Sequence, residues 1–283
     1  SELVVRAKIT SVDPELLREG LNQLRKALSK KNTTIDLTFY PELVRKALPE
    51  KKLTYFHLAK AAIVNLNFPE SIKDLLMLAL ISLIPKYSNA VATGGWLSWK
   101  KNERPAEHIE NDLFAKVHQM SNDIRQNDWA TSTENKWLMY RADARALPVN
   151  DNSVYAVITS PPYPNRHDYT RVFAIELMFG FLDWEQTRSL RYQTLESHPE
   201  SKPIRPNYSE FVLPSAVEHQ IEEVSKVHKE ARIPLMLRGY FIDLYICIKE
   251  MYRVLKKGSH CALVLGNAQY AGIPIEVDIA AAE

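Results

Sequence analysis

A run of β-branched and aromatic residues, "VYAVIT" (Val154 to Thr159), drives straight into Ser160-Pro161-Pro162-Tyr163. Such a run reads as a strand. Proline has no backbone N–H for a ladder and fixes φ, so two in succession must end the strand and set a stiff turn at its carboxyl end. In an open α/β sheet that end is where ligands bind. The flanking sequence has a matching pattern. "KWLMYRADARALP" reads as a short strand, a turn carrying Asp143 and a small-residue exit; "DYTRVFAIELMFGFL" reads as an apolar helix. "GYFIDLYICIKEMYRVLKKGSHCALVLGN" reads as an amphipathic helix, a Lys-Lys-Gly turn and a second apolar strand. Strands alternating with helices imply βαβ units and a mostly parallel sheet, so the predicted class is α/β.

The first 135 residues read as mainly helical, and 136–283 as the α/β part, with a polar, proline-spotted insertion at about 183–234 that contains a helix of its own. "DPELLREGLNQLRKAL" opens on an Asp-Pro pair suited to a helix start and repeats Leu at three- and four-residue spacing. Two further helical blocks begin at Pro41 and Pro69, and "HIENDLFAKVHQMSNDI" is amphipathic. Between them Trp96, Trp99, Lys100, Lys101 and Arg104 put aromatic and basic groups together, which suits either tracking a nucleic-acid backbone or a solvated connector.

With 283 residues, 46% of them hydrophobic, the chain can bury a proper core. A net charge of +2 permits a nucleic-acid partner without arguing for one. The two cysteines, Cys247 and Cys261, lie in apolar runs and imply neither a disulfide framework nor a metal site; a reducing, cytoplasmic setting is expected. No histidine shows metal-ligand spacing, and no metal is assigned. The longest apolar run, Leu75 to Ile84, is too short to span a bilayer, and the charged opening "SELVVRAKIT" is no secretory signal.

Thr159-Ser160-Pro161-Pro162-Tyr163 resembles the catalytic motif of the S-adenosylmethionine-dependent DNA amino-methyltransferases, in the version of their N4-cytosine branch. The likeness extends from Tyr140 to Gly180 and from Tyr240 to Asp278. The resemblance implies a Rossmann-like methyltransferase core and restriction-modification use on double-stranded DNA. It implies that Ser160 and the Pro161 carbonyl accept the hydrogens of an exocyclic amine, that Pro162 stiffens the turn, and that Tyr163 stacks on a flipped-out base. It further implies that Asp143, where not simply an exposed turn aspartate, contacts the adenine of S-adenosylmethionine, with Ala144 following it; Phe173 either packs near that adenine or belongs to the core. Arg166, His167 and Asp168, just past the motif, are candidates to face DNA; Gly266 and Asn267 close the next strand, beside the pocket or as a plain turn. Target recognition is assigned to the helical region or the insertion.

One family feature is missing. No glycine-rich loop of Phe-x-Gly-x-Gly type follows a strand; Gly94-Gly95 follows a helix-like run and Gly20 lies in a helical pattern. The core is therefore expected to be incomplete at its N-terminal side. A second protein chain would then supply the loop, leaving a sheet edge open here. The alternatives are N6-adenine methylation by the same machinery, or a non-catalytic, DNA-binding remnant of the fold.

Overall fold

The computed structural model describes residues 2–29, 35–126, 137–206 and 208–283. They form two compact units: 1–93, 97–139 and 173–184 in the first, and 94–96, 140–172 and 185–283 in the second. The expected change of character near residue 135 falls in 127–136, outside the described residues.

The first unit is helical. α1 (Glu2–Ile9), α2 (Pro14–Ser29), α3 (Glu42–Ala47), α4 (Glu50–Val64), α5 (Glu70–Ser82) and α6 (Ile84–Tyr87) follow the proline-led blocks. The Asp13 carboxylate caps α2 by accepting the Glu15 and Leu16 amides at 2.8 and 3.2 Å. The block that begins at Pro41 is two helices, because Pro49 has no N–H with which to continue α3. Ala90–Thr93 (β1) and Trp96–Trp99 (β2) pair as a two-stranded sheet across Gly94-Gly95, and Gly94 adopts the left-handed φ of +59° that this turn needs. α7 (Ile109–Arg125) completes the layer. Leu24, Phe56, Leu75, Leu76, Tyr87, Leu113 and Phe179 are among the fully buried core side chains. Lys52 is buried with them, and its ammonium donates to the carbonyls of Tyr87 (3.0 Å) and Asn102 (2.8 Å).

The second unit holds the predicted strand, β3 (Val154–Thr159). The apolar stretch after the turn is two helices, α8 (Tyr169–Val172) and α9 (Ala174–Gly180), interrupted at Phe173; α9 belongs with the first unit. α10 (Trp184–Gln193) and α11 (Ser215–Val227) lie in the insertion, and α12 (Arg232–Val254) leads into β4 (Leu255–Leu263). β3 and β4 pair in parallel, with Ala156 opposite His260 through Thr159 opposite Leu263. Upstream, Val154 faces Leu255, so β4 bulges through Lys256-Lys257-Gly258, and Gly258 takes a φ of +80°. A tight antiparallel hairpin, β5 (Ala268–Tyr270) and β6 (Ile273–Ile275), turns on Ala271 and Gly272, both at positive φ, and α13 (Val277–Ala282) ends the chain.

The core of the second unit sits where α11, α12 and the hairpin meet, around Ile221, Met236, Leu237, Tyr240, Ile275 and Val277. Arg253, near the end of α12, donates to the carbonyls of Leu147 and Val149 at 3.0 and 2.9 Å, while Glu250 accepts the Leu147 amide at 2.9 Å. These bonds fix the approach to β3. The strand expected before Asp143 does not form: residues 137–142 have no ladder partner among the described residues, and an unpaired segment is not a strand. The fold is thus mixed α/β with a parallel pair, consistent with a methyltransferase core. Among the described residues no helix is long and apolar enough to cross a membrane.

Candidate active site

The Thr159 carbonyl accepts the Val264 amide at 3.0 Å, the last rung between the parallel strands. Beyond it Pro161 and Pro162 offer no donor, and the chain leaves the sheet. Ser160 stands at that departure. Its hydroxyl donates to the Val264 carbonyl at 3.1 Å, and the Tyr163 hydroxyl lies 3.2 Å from the Ser160 oxygen. A hydroxyl carries one hydrogen. With it committed to Val264, the Ser160 oxygen has only lone pairs to present, and Tyr163 donates to one of them.

The turn is anchored on both sides of Tyr163. The Tyr163 carbonyl accepts the Asn165 amide at 2.8 Å, the Pro164 carbonyl accepts the buried Tyr270 hydroxyl at 2.5 Å, and the Arg166 amide reaches the Ser197 carbonyl at 3.1 Å. Burial pushes the Tyr270 hydroxyl up to about 12, which keeps it a donor at neutral pH. Arg166 holds a positive φ of 64°. Opposite the turn, a Cβ on Gly266 would lie 2.9–3.0 Å from Cγ, Cδ2 and Cε2 of the Tyr163 ring. Gly266 is therefore the seat of that ring, beyond being the plain turn that its sequence position also allowed.

Asp168 is buried and has a structural part. Its Oδ1 accepts the Thr170 hydroxyl (2.6 Å) and the Arg171 amide (3.1 Å), capping α8, and its Oδ2 lies 2.8 Å from Arg191 Nε. Arg166 is exposed, 3.8 Å from Glu230, and His167 stacks edge-on with Tyr169. In the first unit, Lys46 lies over Trp99, and Arg104 pairs with Asp112 at 2.9 Å; in the second, Arg171 lies over Trp96.

Asp143 occupies a tight turn closed by a bridge to Ala146, with Ala144 exposed at its corner. Its Oδ1 accepts the Arg145 amide (2.9 Å) and Nε (3.0 Å), and its Oδ2 accepts Nη2 (2.8 Å). Burial alone would raise the Asp143 carboxyl, but the Arg145 bonds outweigh it and hold the group below the usual carboxylate range. Phe173 is half-exposed at the break between α8 and α9 and is grouped with the first unit, whereas Asp143 and Ser160 are in the second.

Behind Asp143 lies a cluster that the sequence reading missed. Arg145 also donates to Asp243 Oδ1 (3.0 Å) and to the Gln193 carbonyl (3.0 Å). Arg205 donates to the same Asp243 oxygen (2.9 Å), to the Gly239 carbonyl (3.1 Å) and to Glu196. The available signal was Asp243 itself, a lone acid within the apolar "GYFIDLYICI" that needs a buried cation.

No family model matches the chain, and no solved structure matches it. Among curated proteins it is similar to the type II methyltransferase M.BsoBI of Geobacillus stearothermophilus, 28% identical over 263 residues, covering 76% of this chain and 52% of that protein. It is also similar to the type II methyltransferase M.AvaI of Nostoc sp. and of Anabaena variabilis, in each case 29% identical over 241 residues, covering 74% of this chain and 49% of the relative. The chain spans about half the length of these relatives. The chain is thus similar, over about three quarters of its length, to proteins named as type II methyltransferases.

Proposed function

We propose that this chain carries the amine-activating turn of an S-adenosylmethionine-dependent DNA methyltransferase, acting on the 4-amino group of cytosine within a restriction-modification system. The observation that carries the reading is Ser160, whose hydrogen is spent on the Val264 carbonyl so that its oxygen faces outward as an acceptor. An exocyclic ring amine is a weak nucleophile because its lone pair is delocalised. Acceptors placed on its hydrogens turn that pair out of the ring, and a rigid turn does so without reorganisation. Ser160 is one acceptor and the Pro161 carbonyl the other. Tyr163 stacks on a base turned out of the duplex, since the amine is out of reach inside the stack. S-adenosylmethionine, when bound, supplies a methyl group on a sulfonium centre. Residues of this chain fit part of that molecule: Asp143 is an ionised acceptor with 49% of its side chain open, suited to an adenine amino group.

The glycine-rich loop is proposed to come from a second chain. Parallel strands are ordinarily covered on both faces. Here Tyr155 and Ile158, which point to opposite faces of β3, are 74% and 82% exposed. A second reading, a DNA-binding protein that performs no transfer, is favoured by the missing loop alone.

The test is methyl transfer from labelled S-adenosylmethionine to DNA, by this chain alone and with the product of the adjacent reading frame. Activity only with the partner supports the split arrangement; activity alone overturns it; silence in both overturns the enzyme reading. N6-methyladenine as the product in place of N4-methylcytosine would reassign the target base.

A further inference from the structure

We infer that Arg145 and Asp243 are positioning residues: they fix the orientation of the exposed Asp143 carboxylate for its ligand. The inference rests on the reading of Asp143 as the adenine contact of S-adenosylmethionine.

The geometry is asymmetric in a way that ordinary stabilisation does not require. The Arg145 side chain is 4% exposed and that of Asp243 is 1% exposed, whereas that of Asp143 is 49% exposed. A buried ion pair contributes little net stability compared with apolar residues of the same volume, because desolvation offsets the attraction. The Arg145 fork is used in a particular manner. One edge grips both oxygens of Asp143, Nη1 is anchored on Asp243, and Nη2 also reaches the Gln193 carbonyl. A planar guanidinium fixed at its far end imposes its own orientation on the carboxylate it grips, which a lysine ammonium cannot do. Asp243 is fixed in turn by Arg205 and by the Glu196 amide at 2.8 Å. That network needs Gly239, where a Cβ would fall 1.9 Å from Glu196 Oε2. A chain of contacts from α12 and the loop after α10 thus ends on one solvent-facing acid. Half of the Asp143 side chain stays open to solvent while the Arg145 fork holds both of its oxygens.

The test is a double-mutant cycle read by equilibrium binding of S-adenosylhomocysteine to the full chain, alone and together with the adjacent reading frame's product, with thermal midpoints recorded in parallel. Arg145→Lys keeps the charge beside Asp243 and loses the fork; it is expected to weaken binding about tenfold and, because the Gln193 carbonyl also loses its donor, to lower the midpoint, so binding is read well below that midpoint. Asp143→Ala is expected to weaken binding at least as much. The double variant is expected to bind no worse than Asp143→Ala, because Arg145 acts only through that carboxylate. Arg205→Lys, on the far side of Asp243, is expected to lower the midpoint more than the affinity. Additive losses in the double variant would overturn the inference, since a merely structural arginine adds its own cost. Unchanged affinity in Arg145→Lys beside a clear loss in Asp143→Ala would overturn it and leave the Asp143 reading standing. Unchanged affinity in Asp143→Ala, or no binding by the wild-type protein in either setting, would overturn that reading and the inference with it.

Discussion

Substituting Gly266 by alanine tests the architecture of the turn at one atom. The new Cβ would meet three carbons of the Tyr163 ring at 2.9–3.0 Å, where ordinary contact begins at 3.4 Å, so roughly half an ångström must be found. The backbone cannot readily yield it. Carbonyls on either side of the ring are bonded, that of Tyr163 to the Asn165 amide and that of Pro164 to the Tyr270 hydroxyl. The ring must therefore rotate off its seat or stay and be compressed. Compression of this kind costs about 1–3 kcal/mol. Rotation breaks the Tyr163–Ser160 hydrogen bond, worth about 0.5–1.5 kcal/mol. Depending on the route, stability falls by about 0.5–3 kcal/mol, or roughly 1–12 °C in thermal midpoint for a chain of this size. Function falls further. A displaced ring loses its stacking on the base, about 1–3 kcal/mol, or roughly 5- to 150-fold in hold on the flipped nucleotide. The assay pairs thermal unfolding with methyl transfer for Gly266→Ala, Tyr163→Ala and the double variant. Once the ring is gone the methyl has room, so Gly266→Ala is expected to cost nothing in the Tyr163→Ala background. A penalty that persists there, or a Gly266→Ala protein equal to wild type in both measurements, refutes the ring-seat account.

Other perturbations separate the remaining parts. Ser160→Ala is expected to lower the rate of methyl transfer by about two to three orders of magnitude, the scale of losing one preorganised partner, with the thermal midpoint nearly unchanged. Lys52→Met leaves the Tyr87 and Asn102 carbonyls without their donor and is expected to cost about 1–3 kcal/mol in denaturant unfolding. Burial would raise the Asp112 carboxyl, but bonds from Tyr87 and Lys86, with Arg104 alongside, hold it at about 2 against an ordinary 3.8. A depressed carboxyl stabilises above its unfolded value and loses that contribution as pH falls through the folded one. The difference in unfolding free energy between wild type and Asp112→Asn should therefore shrink by about 1 kcal/mol between pH 5 and 2, after allowance for solvent screening; a constant difference would refute it.

What the sequence made legible was local. Proline and aspartate placed the helix starts at Pro14, Glu42 and Glu70, because a missing N–H or a capping carboxylate acts within one turn. The end of β3 was readable for the same reason, since two prolines forbid a ladder whatever the surroundings. What escaped depended on partners distant in the chain. The Arg145–Asp243 bond joins residues 98 apart, and nothing local distinguishes that arginine from a solvated one. Gly266 looked like a strand-end glycine because its reason is a ring brought to it from Tyr163. The strand expected before Asp143 had suitable residues and no neighbour to pair with among those described, and β propensity expresses itself only against a partner. The β1–β2 pair escaped because each strand is only four residues long, too short for a period-2 pattern to show.

The site also divides its labour in a way that bears on how such a turn could work beside a second chain. Among the described residues, the contacts that orient Ser160 and Tyr163 come from the second unit: the Val264 carbonyl, the Gly266 seat, the Tyr270 hydroxyl and the Ser197 carbonyl. The acceptor geometry is therefore complete before any partner or ligand arrives. Toward the cofactor, by contrast, the proposed contacts in the same unit reduce to the Asp143 turn, however firmly that acid is held. Chemistry on the amine needs rigidity, because an acceptor misplaced by an ångström no longer turns the lone pair, and rigidity of that kind is best built within one packed unit. Holding a cofactor distributes its contacts over more surface and tolerates assembly from separate segments. Were a second chain to supply the glycine-rich loop, as proposed, the proline-stiffened turn would lie wholly on one side and the demanding geometry off the joint between chains.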